Sequence, residues 1–295
     1  MHIVKHRKIW FAISGALIAL SIFGMFSYGF NLSIDFKGGT LTEVRYTESR
    51  PPLGDVESSL RELNIGNVSV RPSEHDRYII RSRELNQEES GLLVERLGSP
   101  EVLRQNTIGP IAGAELAHKS LIAIAIVLVM IVLFVTFAFR KVSKPVASWK
   151  YGLATIVALF HDIIIPTGVF VFLGKLYGLE IDLLFASGLL AILGYSVHDT
   201  IVVFDRVREN LRVNQEKNIN EPFETTVGNS LVQTMARSIN TSFTLLITLA
   251  ALYIFGSTAT RDFSLLLIIG VIVGVYSSIF VASPLLVTLH KIGRK

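Results

Sequence analysis

Long apolar runs alternate along the chain with short charged ones, and only one polar stretch is long enough to fold as a unit. The apolar blocks are Ile9–Tyr28, Leu121–Phe139, Tyr151–Leu173, Leu183–Phe204, Ser238–Phe255 and Phe263–Leu289. A hydrocarbon core of about 30 Å takes roughly 20 residues of helix to cross. Each block comes close to or exceeds that length. A soluble protein can bury one such helix, but a chain of 295 residues has too little other mass to bury six. The pattern predicts an α-helical polytopic membrane protein with six transmembrane helices.

The large polar stretch, Gly29–His118, separates the first two spans. Its periodicity predicts a strand at Thr40–Thr47, a helix at Asp55–Leu63, strands at Asn67–Arg71 and Arg77–Ser82, a helix at Asn86–Leu97 and a strand at Glu101–Ile108. Pro51-Pro52, Arg71-Pro72-Ser73 and Gly98-Ser99-Pro100 punctuate these elements. The order β-α-β-β-α-β is that of an α+β ferredoxin-like unit. The expected organisation is therefore 1–28 as N-terminus and first span, 29–118 as the ferredoxin-like domain, and 119–295 as a five-helix membrane region.

Charge adds a direction. Basic residues collect at the N-terminus (Lys5, Arg7, Lys8), after the second span (Arg140, Lys141, Lys144, Lys150), after the fourth (Arg206, Arg208, Arg212, Lys217) and at the C-terminus (Lys291, Arg294, Lys295). Alternating spans put all four groups on one side, while the opposite short loops carry only Lys175 and Arg261. The positive-inside rule then makes both termini cytoplasmic and the polar domain extracytoplasmic. The net charge of +4 reads as a topology signal, and no nucleic-acid partner is expected. The first span is too long for a typical cleavable signal and no A-x-A-like site follows it, so it reads as an uncleaved anchor. There is no cysteine, which excludes disulfides and thiol chemistry.

Within the polar domain no catalytic constellation stands out. His75, between Glu74 and Asp76, reads as part of a solvated hairpin turn. Lys37-Gly38-Gly39-Thr40 lacks the spacing of a phosphate loop and leads into a strand, so its glycines are expected to allow a tight bend.

The chemistry lies inside the apolar blocks. The third and fourth spans are interrupted by His161-Asp162 and His198-Asp199. A charged Asp at the centre of a spanning helix costs about 2.5–3.5 kcal/mol on insertion scales, so it must be paired, protonated or wet. Tyr195 and Ser196 lie one turn before Asp199, Gly188 and Gly194 permit close helix approach, and Pro166 removes a backbone donor one turn beyond Asp162. Arg237 opens the fifth span and is the natural counter-charge for Asp199, with Ser238, Asn240, Thr241 and Ser242 adding hydrogen-bonding groups. A carboxylate balanced between a cation and desolvation can load and release a proton. The rival readings fare worse. H-E-x-x-H, G-x-S-x-G and Gly-x-Gly-Asp are all absent, which disfavours an intramembrane protease or hydrolase. A pure scaffold leaves the intramembrane Asp and its Arg unexplained. An ion-coupled transport machine is expected, not an enzyme, with no catalytic residue, metal or cofactor.

The motifs IDFKGGT, IGPIAGAEL, HDIIIPTGVF, GYSVHDTIVVFDRVREN and RSINTS together resemble the SecF family of protein-export subunits, over essentially the whole chain. The resemblance implies half of a resistance-nodulation-division type transporter, partnered by a SecD-like chain. It implies an accessory of the Sec channel that uses the proton-motive force to draw an unfolded translocating polypeptide across the bilayer. It makes Asp199 the proton-path carboxylate, Arg237 the basic residue of the next span, and Asp162 part of a recurrent His-Asp pair. It gives His198 no proton-carrying role, because many relatives have Asn there.

Overall fold

A computed structural model describes residues 2–47, 49–63, 65–66, 68–73, 75–140 and 146–292. Lys141, Lys144, Arg294 and Lys295 of the basic segments lie outside the described residues, as do Asn67 of the second predicted strand and Glu74 beside His75. The chain forms two compact units: Met1–Gly29, Ala123–Leu173 and Phe185–Lys295 make one, and Phe30–Ile122 with Gly174–Leu184 the other.

The first unit is helical. After a short α1 (His2–Lys5) it contains α2 (Arg7–Tyr28), and the sheet unit adds α3 (Ile34–Lys37), α4 (Leu53–Arg61) and α5 (Gln87–Arg96). Then come the long helices α6 (Pro110–Ala138), α7 (Ser148–Tyr177), α8 (Leu183–Glu216), α9 (Phe223–Phe255) and α10 (Thr258–Ser277). A single π-helical turn, Ser278–Ala282, joins α10 to α11 (Ser283–Ile292). Six stretches are long and apolar enough to cross a membrane, as the hydrophobic pattern predicts. Several helices outrun their apolar blocks. α8 continues past Phe204 through a charged segment whose Arg206–Glu209 and Arg208–Asp205 pairs sit at helical spacing.

The helices divide the packing unequally. Half of the central stretch is buried in α7, in α8 and in the last span, against 6% in α6. One cluster of apolar residues ties the basic ends of the spans together: Phe139 stacks on Tyr151 with ring centroids 5.0 Å apart, and Phe204 meets Tyr151 edge-on at 5.2 Å. Nearby, Arg7 of α2 pairs with Glu224 of α9 at 2.9 Å, and Lys291 of α11 bonds the same carboxylate. Small residues set the approach of α8 to α10. A Cβ on Gly270 would fall 2.2 Å from Ile192 Cδ1, and one on Gly188 2.7 Å from Leu266 Cδ2. Hydrogen there lets the two backbones come close, the usual packing device where lipid removes the hydrophobic drive.

In the second unit the strands are β1 (Gly39–Arg45), β2 (Ser69–Ser73), β3 (Arg77–Ser82) and β4 (Glu101–Ile108). They form one sheet in the order β2-β3-β1-β4 with every neighbour antiparallel. This is the ferredoxin-like topology that the element order predicts. Val44, Val70, Tyr78 and Ile80 of the sheet bury against Val56 and Leu60 of α4 and Leu93 of α5. α5 starts with a capping box, in which Glu89 N–H donates to Asn86 Oδ1 at 2.8 Å and Asn86 N–H to Glu89 Oε2 at 3.1 Å. Gly38 and Gly39 make the bend between α3 and β1 with φ of 78° and 134°. A Cβ on Gly38 would meet Pro110 Cα at 2.6 Å, so the glycine admits the start of α6 as well as the turn.

One part of this unit comes from outside the polar stretch. The α7–α8 connection packs into it: Ile181 N–H donates to Asn31 O at 2.8 Å and Ser33 N–H to Ile181 O at 3.0 Å, a parallel bridge between Leu32 and Ile181. Asn31 Nδ2 reaches Leu179 O at 3.0 Å, and Asp35 Oδ2 accepts from Leu183 N–H at the start of α8.

Candidate functional site

α7, α8, α9 and the π-helical turn bring a layer of polar side chains into the apolar interior. At its centre Asp162 of α7 is wholly buried. Its Oδ1 lies 2.9 Å from His161 Nδ1, and its Oδ2 accepts from Ser196 Oγ of α8 and from Ser277 Oγ at 2.7 Å. Three donors on three segments therefore converge on one carboxylate. His161 stacks on Tyr276 at 5.7 Å, and the Tyr276 hydroxyl takes part in bonds to Ser14 Oγ and Trp10 O of α2.

Asp199 lies one turn along α8 from Ser196 and is otherwise circumstanced. Its Oδ1 accepts from Ser238 Oγ of α9. Its Oδ2 is buried and has no hydrogen-bond partner among the described residues. A small pocket opens beside it, lined by Tyr195, His198, Val202, Arg237, Ser238 and Thr241. Arg237 and His198 are exposed residues at this pocket. Asp199 itself is 8% exposed.

The helices place these groups by spacing. Ser196 and Asp199 sit three apart on α8, and Thr200 is four from Ser196, so all three project to one side. Thr200 Oγ1 meets Ser278 Oγ at 2.8 Å, and Ser278 Oγ also reaches Ser196 O at 3.4 Å. The π-helical turn begins at Ser278, and Ser277, Ser278 and Ser283 are all fully buried. An extra residue in the turn lets consecutive serines serve different partners, Ser277 on α7 and Ser278 on α8. Such turns recur at functional sites. On α9, Ser238 and Ser242 lie four apart, and Ser242 Oγ donates to Ser238 O at 2.6 Å while contacting the Tyr195 hydroxyl at 2.6 Å.

Two sequence expectations need restating. Arg237 shares a pocket with Asp199, but no ion pair within 4.0 Å joins them among the described residues; the near partner is Ser238, the next residue along. Ser196, expected to serve Asp199, serves Asp162. Pro166, expected to take a backbone donor out of the third span, does so inside α7, which continues to Tyr177. The serines of the last span are hidden from apolar periodicity. Their signal was there: adjacent Ser277-Ser278 in an uncharged span, followed five residues on by Ser283-Pro284. Among the described residues no group of three or more His, Asp and Glu side chains gathers as a metal cluster would.

Residues 91–292 match the family model described as protein export membrane protein SecD/SecF, C-terminal, and residues 23–49 match the SecD/SecF GG motif. The chain belongs to the SecD/SecF family. The bend at Gly38-Gly39 lies in the matched GG-motif segment. The chain is similar to the protein translocase subunit SecF of Thermobaculum terrenum, 39% identical over 97% of this chain and 93% of that one. It is 33% identical to the protein translocase subunit SecDF of Brucella abortus over 96% of this chain and 36% of that longer protein. The crystal structure of SecDF from Thermus thermophilus, a translocon-associated membrane protein, superposes with a TM-score of 0.82 at 33% identity, covering 98% of this chain and 38% of that one. Within the SecD/SecF family the chain thus spans the portion of fused SecDF proteins that stands alone as SecF in its separate relatives.

Proposed function

We propose that this chain is the SecF-like subunit of a SecDF complex that uses the proton-motive force to assist protein export across the cytoplasmic membrane. Its partners are a SecD-like chain, the Sec channel complex, the unfolded polypeptide in transit and the surrounding bilayer. The basic ends of the spans support a topology with both termini in the cytoplasm and the sheet unit outside.

The observation that carries this reading is the unequal treatment of the two carboxylates. Asp162 has its oxygens filled by His161, Ser196 and Ser277 and is best suited to holding three helices together. Asp199 keeps one buried oxygen without a partner, beside a pocket that an exposed Arg237 lines. An ionised Asp199 attracts Arg237 and accepts from Ser238. A protonated Asp199 loses the first attraction, and α8 and α9 are then free to shift. Each proton crossing about 100 mV releases roughly 2.3 kcal/mol. That is enough to bias an equilibrium whose states differ by a few kcal/mol.

The test is gradient-driven export into energised membrane vesicles at matched protein levels. Asp199→Asn keeps shape and hydrogen-bonding capacity but cannot titrate, so it assembles and loses stimulation by the gradient. Full stimulation by that variant would refute the proton role of Asp199.

A further inference from the structure

Outside the membrane-spanning stretches the most enclosed ion pair among the described residues is Arg81 with Glu180. Arg81 Nε of β3 lies 2.8 Å from Glu180 Oε2, and the side chains are only 16% and 10% exposed. Arg71 of β2 and Lys37 of α3 add positive charge around Glu180, and Asp182 on its own segment adds negative charge. Glu180 sits in the α7–α8 connection, between Leu179 and Ile181, whose backbones are bonded to the segment after α2. The same connection leads directly into α7, with Asp162, and into α8, with Ser196 and Asp199.

We propose that Glu180, enclosed beside Arg81, is a proton-operated latch, which fastens the α7–α8 connection to the sheet unit when its carboxyl is protonated and loosens it when the carboxyl is ionised. Burial is the larger influence on this carboxyl and outweighs the nearby cations, pushing its pKa from 4.5 up to about 7. When the connection lifts away, Glu180 returns to water and to its ordinary value. The fastened form therefore binds the proton more tightly. Fastening is strongest below about pH 4.5, weakens as the pH rises from there, and has lost the proton's contribution once the pH passes about 7. Taken with the topology proposed above, on which this role rests, the latch lies on the outer, acidic side of an energised membrane. Outer protons then fasten the connection between the two helices that carry the intramembrane carboxylates.

Hydrogen exchange reads the latch without any export assay. The full chain is placed in lipid nanodiscs at uniform pH from 5 to 8. Protection factors, corrected for intrinsic exchange, are followed at Ser33, Ile181 and Leu183, whose amides make the three fastening bonds. A peptide from β1 serves as reference. Protection at the three amides falls by roughly tenfold to a hundredfold between pH 5 and pH 8, while β1 stays level. Glu180→Gln holds high protection across the range. Arg81→Gln removes a cation that holds the Glu180 value down, so the fall moves to higher pH. Protection in the wild type that is flat or rises with pH would overturn the latch. So would an Arg81→Gln midpoint that stays put or moves to lower pH. None of these readings depends on export, so a failed latch leaves the translocase reading standing, and a failed export test leaves the latch standing.

Discussion

Removing the Asp162 side chain should cost far more stability than removing that of Asp199. In Asp162→Ala three donors lose their acceptor. Ser277 Oγ retains Gly274 O at 3.0 Å. Ser196 Oγ and His161 Nδ1 are left with no other acceptor shown, in a site where Ser196 is 0% and His161 1% exposed. Each orphaned buried donor costs about 1–3 kcal/mol, so the loss is about 2–6 kcal/mol. That is a large fraction of a typical stability of about 5–15 kcal/mol. In Asp199→Ala Ser238 loses its acceptor, Ser278 keeps Thr200 Oγ1 and Ser196 O, and an unpartnered carboxylate oxygen disappears. The two changes offset, for a net cost of about 1 kcal/mol or less. Asp162→Asn should fall within about 1 kcal/mol of wild type, because its amide can donate to both serines and accept from His161. Thermal unfolding in mild detergent, followed by fluorescence of Trp10 and Trp149 and by monodispersity on size exclusion, separates the cases. With about 2–4 °C for each kcal/mol, Asp162→Ala melts at least about 2 °C below Asp199→Ala. Equal melting temperatures, or a lower one for Asp199→Ala, would refute the division of labour between the carboxylates.

Gly270→Leu should destabilise by about 1–3 kcal/mol by overpacking against Ile192, whereas Gly15→Ala, with nothing within 4 Å of its added carbon, should be near neutral; the same melting assay reads both. Arg237→Gln should change stability by no more than about 0.5 kcal/mol, since the residue is exposed and forms no ion pair within reach of Asp199, yet should lose gradient-dependent export in vesicles. Cysteine at Glu57 should react with an impermeant thiol reagent from outside intact cells and cysteine at Lys217 should not; the absence of native cysteine makes the labelling specific, and reaction of both from one side would overturn the proposed topology.

The parts of this structure legible in the sequence are those set by period and composition. Blocks such as Leu121–Phe139 announce a span because nothing else can hold so many apolar residues. The ferredoxin-like unit shows because Asn86 and Glu89 mark a helix start, and because Pro and Gly separate runs of fitting length. Pairwise geometry is less visible. A sequence gives Arg237 and Asp199 opposite charges on consecutive spans, but rotation about each helix axis decides contact, and α9 brings Ser238 rather than Arg237 into bonding distance of the carboxylate. The π-helical turn has no period of its own to betray it. Glu180 does not stand out in the sequence, because its burial depends on a connection folding back onto Arg81, 99 residues earlier in the chain.

The two carboxylates follow one rule from opposite ends. A buried acid is tolerated when its oxygens are filled, and it becomes useful when they are not. Asp162 answers with three donors, and each comes from a different place: its own helix, α8 and the residue before the π-helical turn. Any relative motion of those elements breaks a buried hydrogen bond, so Asp162 resists motion. Asp199 accepts a close bond from Ser238 of α9, with the Ser278 hydroxyl nearby. Because Ser196 and Asp199 stand one turn apart on α8, that helix is pinned to α7 and the last span at one point and only lightly tethered to α9 at the next. Motion driven by protonation should therefore be concentrated at the α8–α9 contact, with α7, α8 and the last span moving as one body. Spin labels paired across α8 and α9 should change separation between acidic and alkaline pH in the wild type and stay fixed in Asp199→Asn. Labels paired across α7 and α8 should stay fixed in both. A shift across α7 and α8 as large as that across α8 and α9 would show that Asp162 is not the pin.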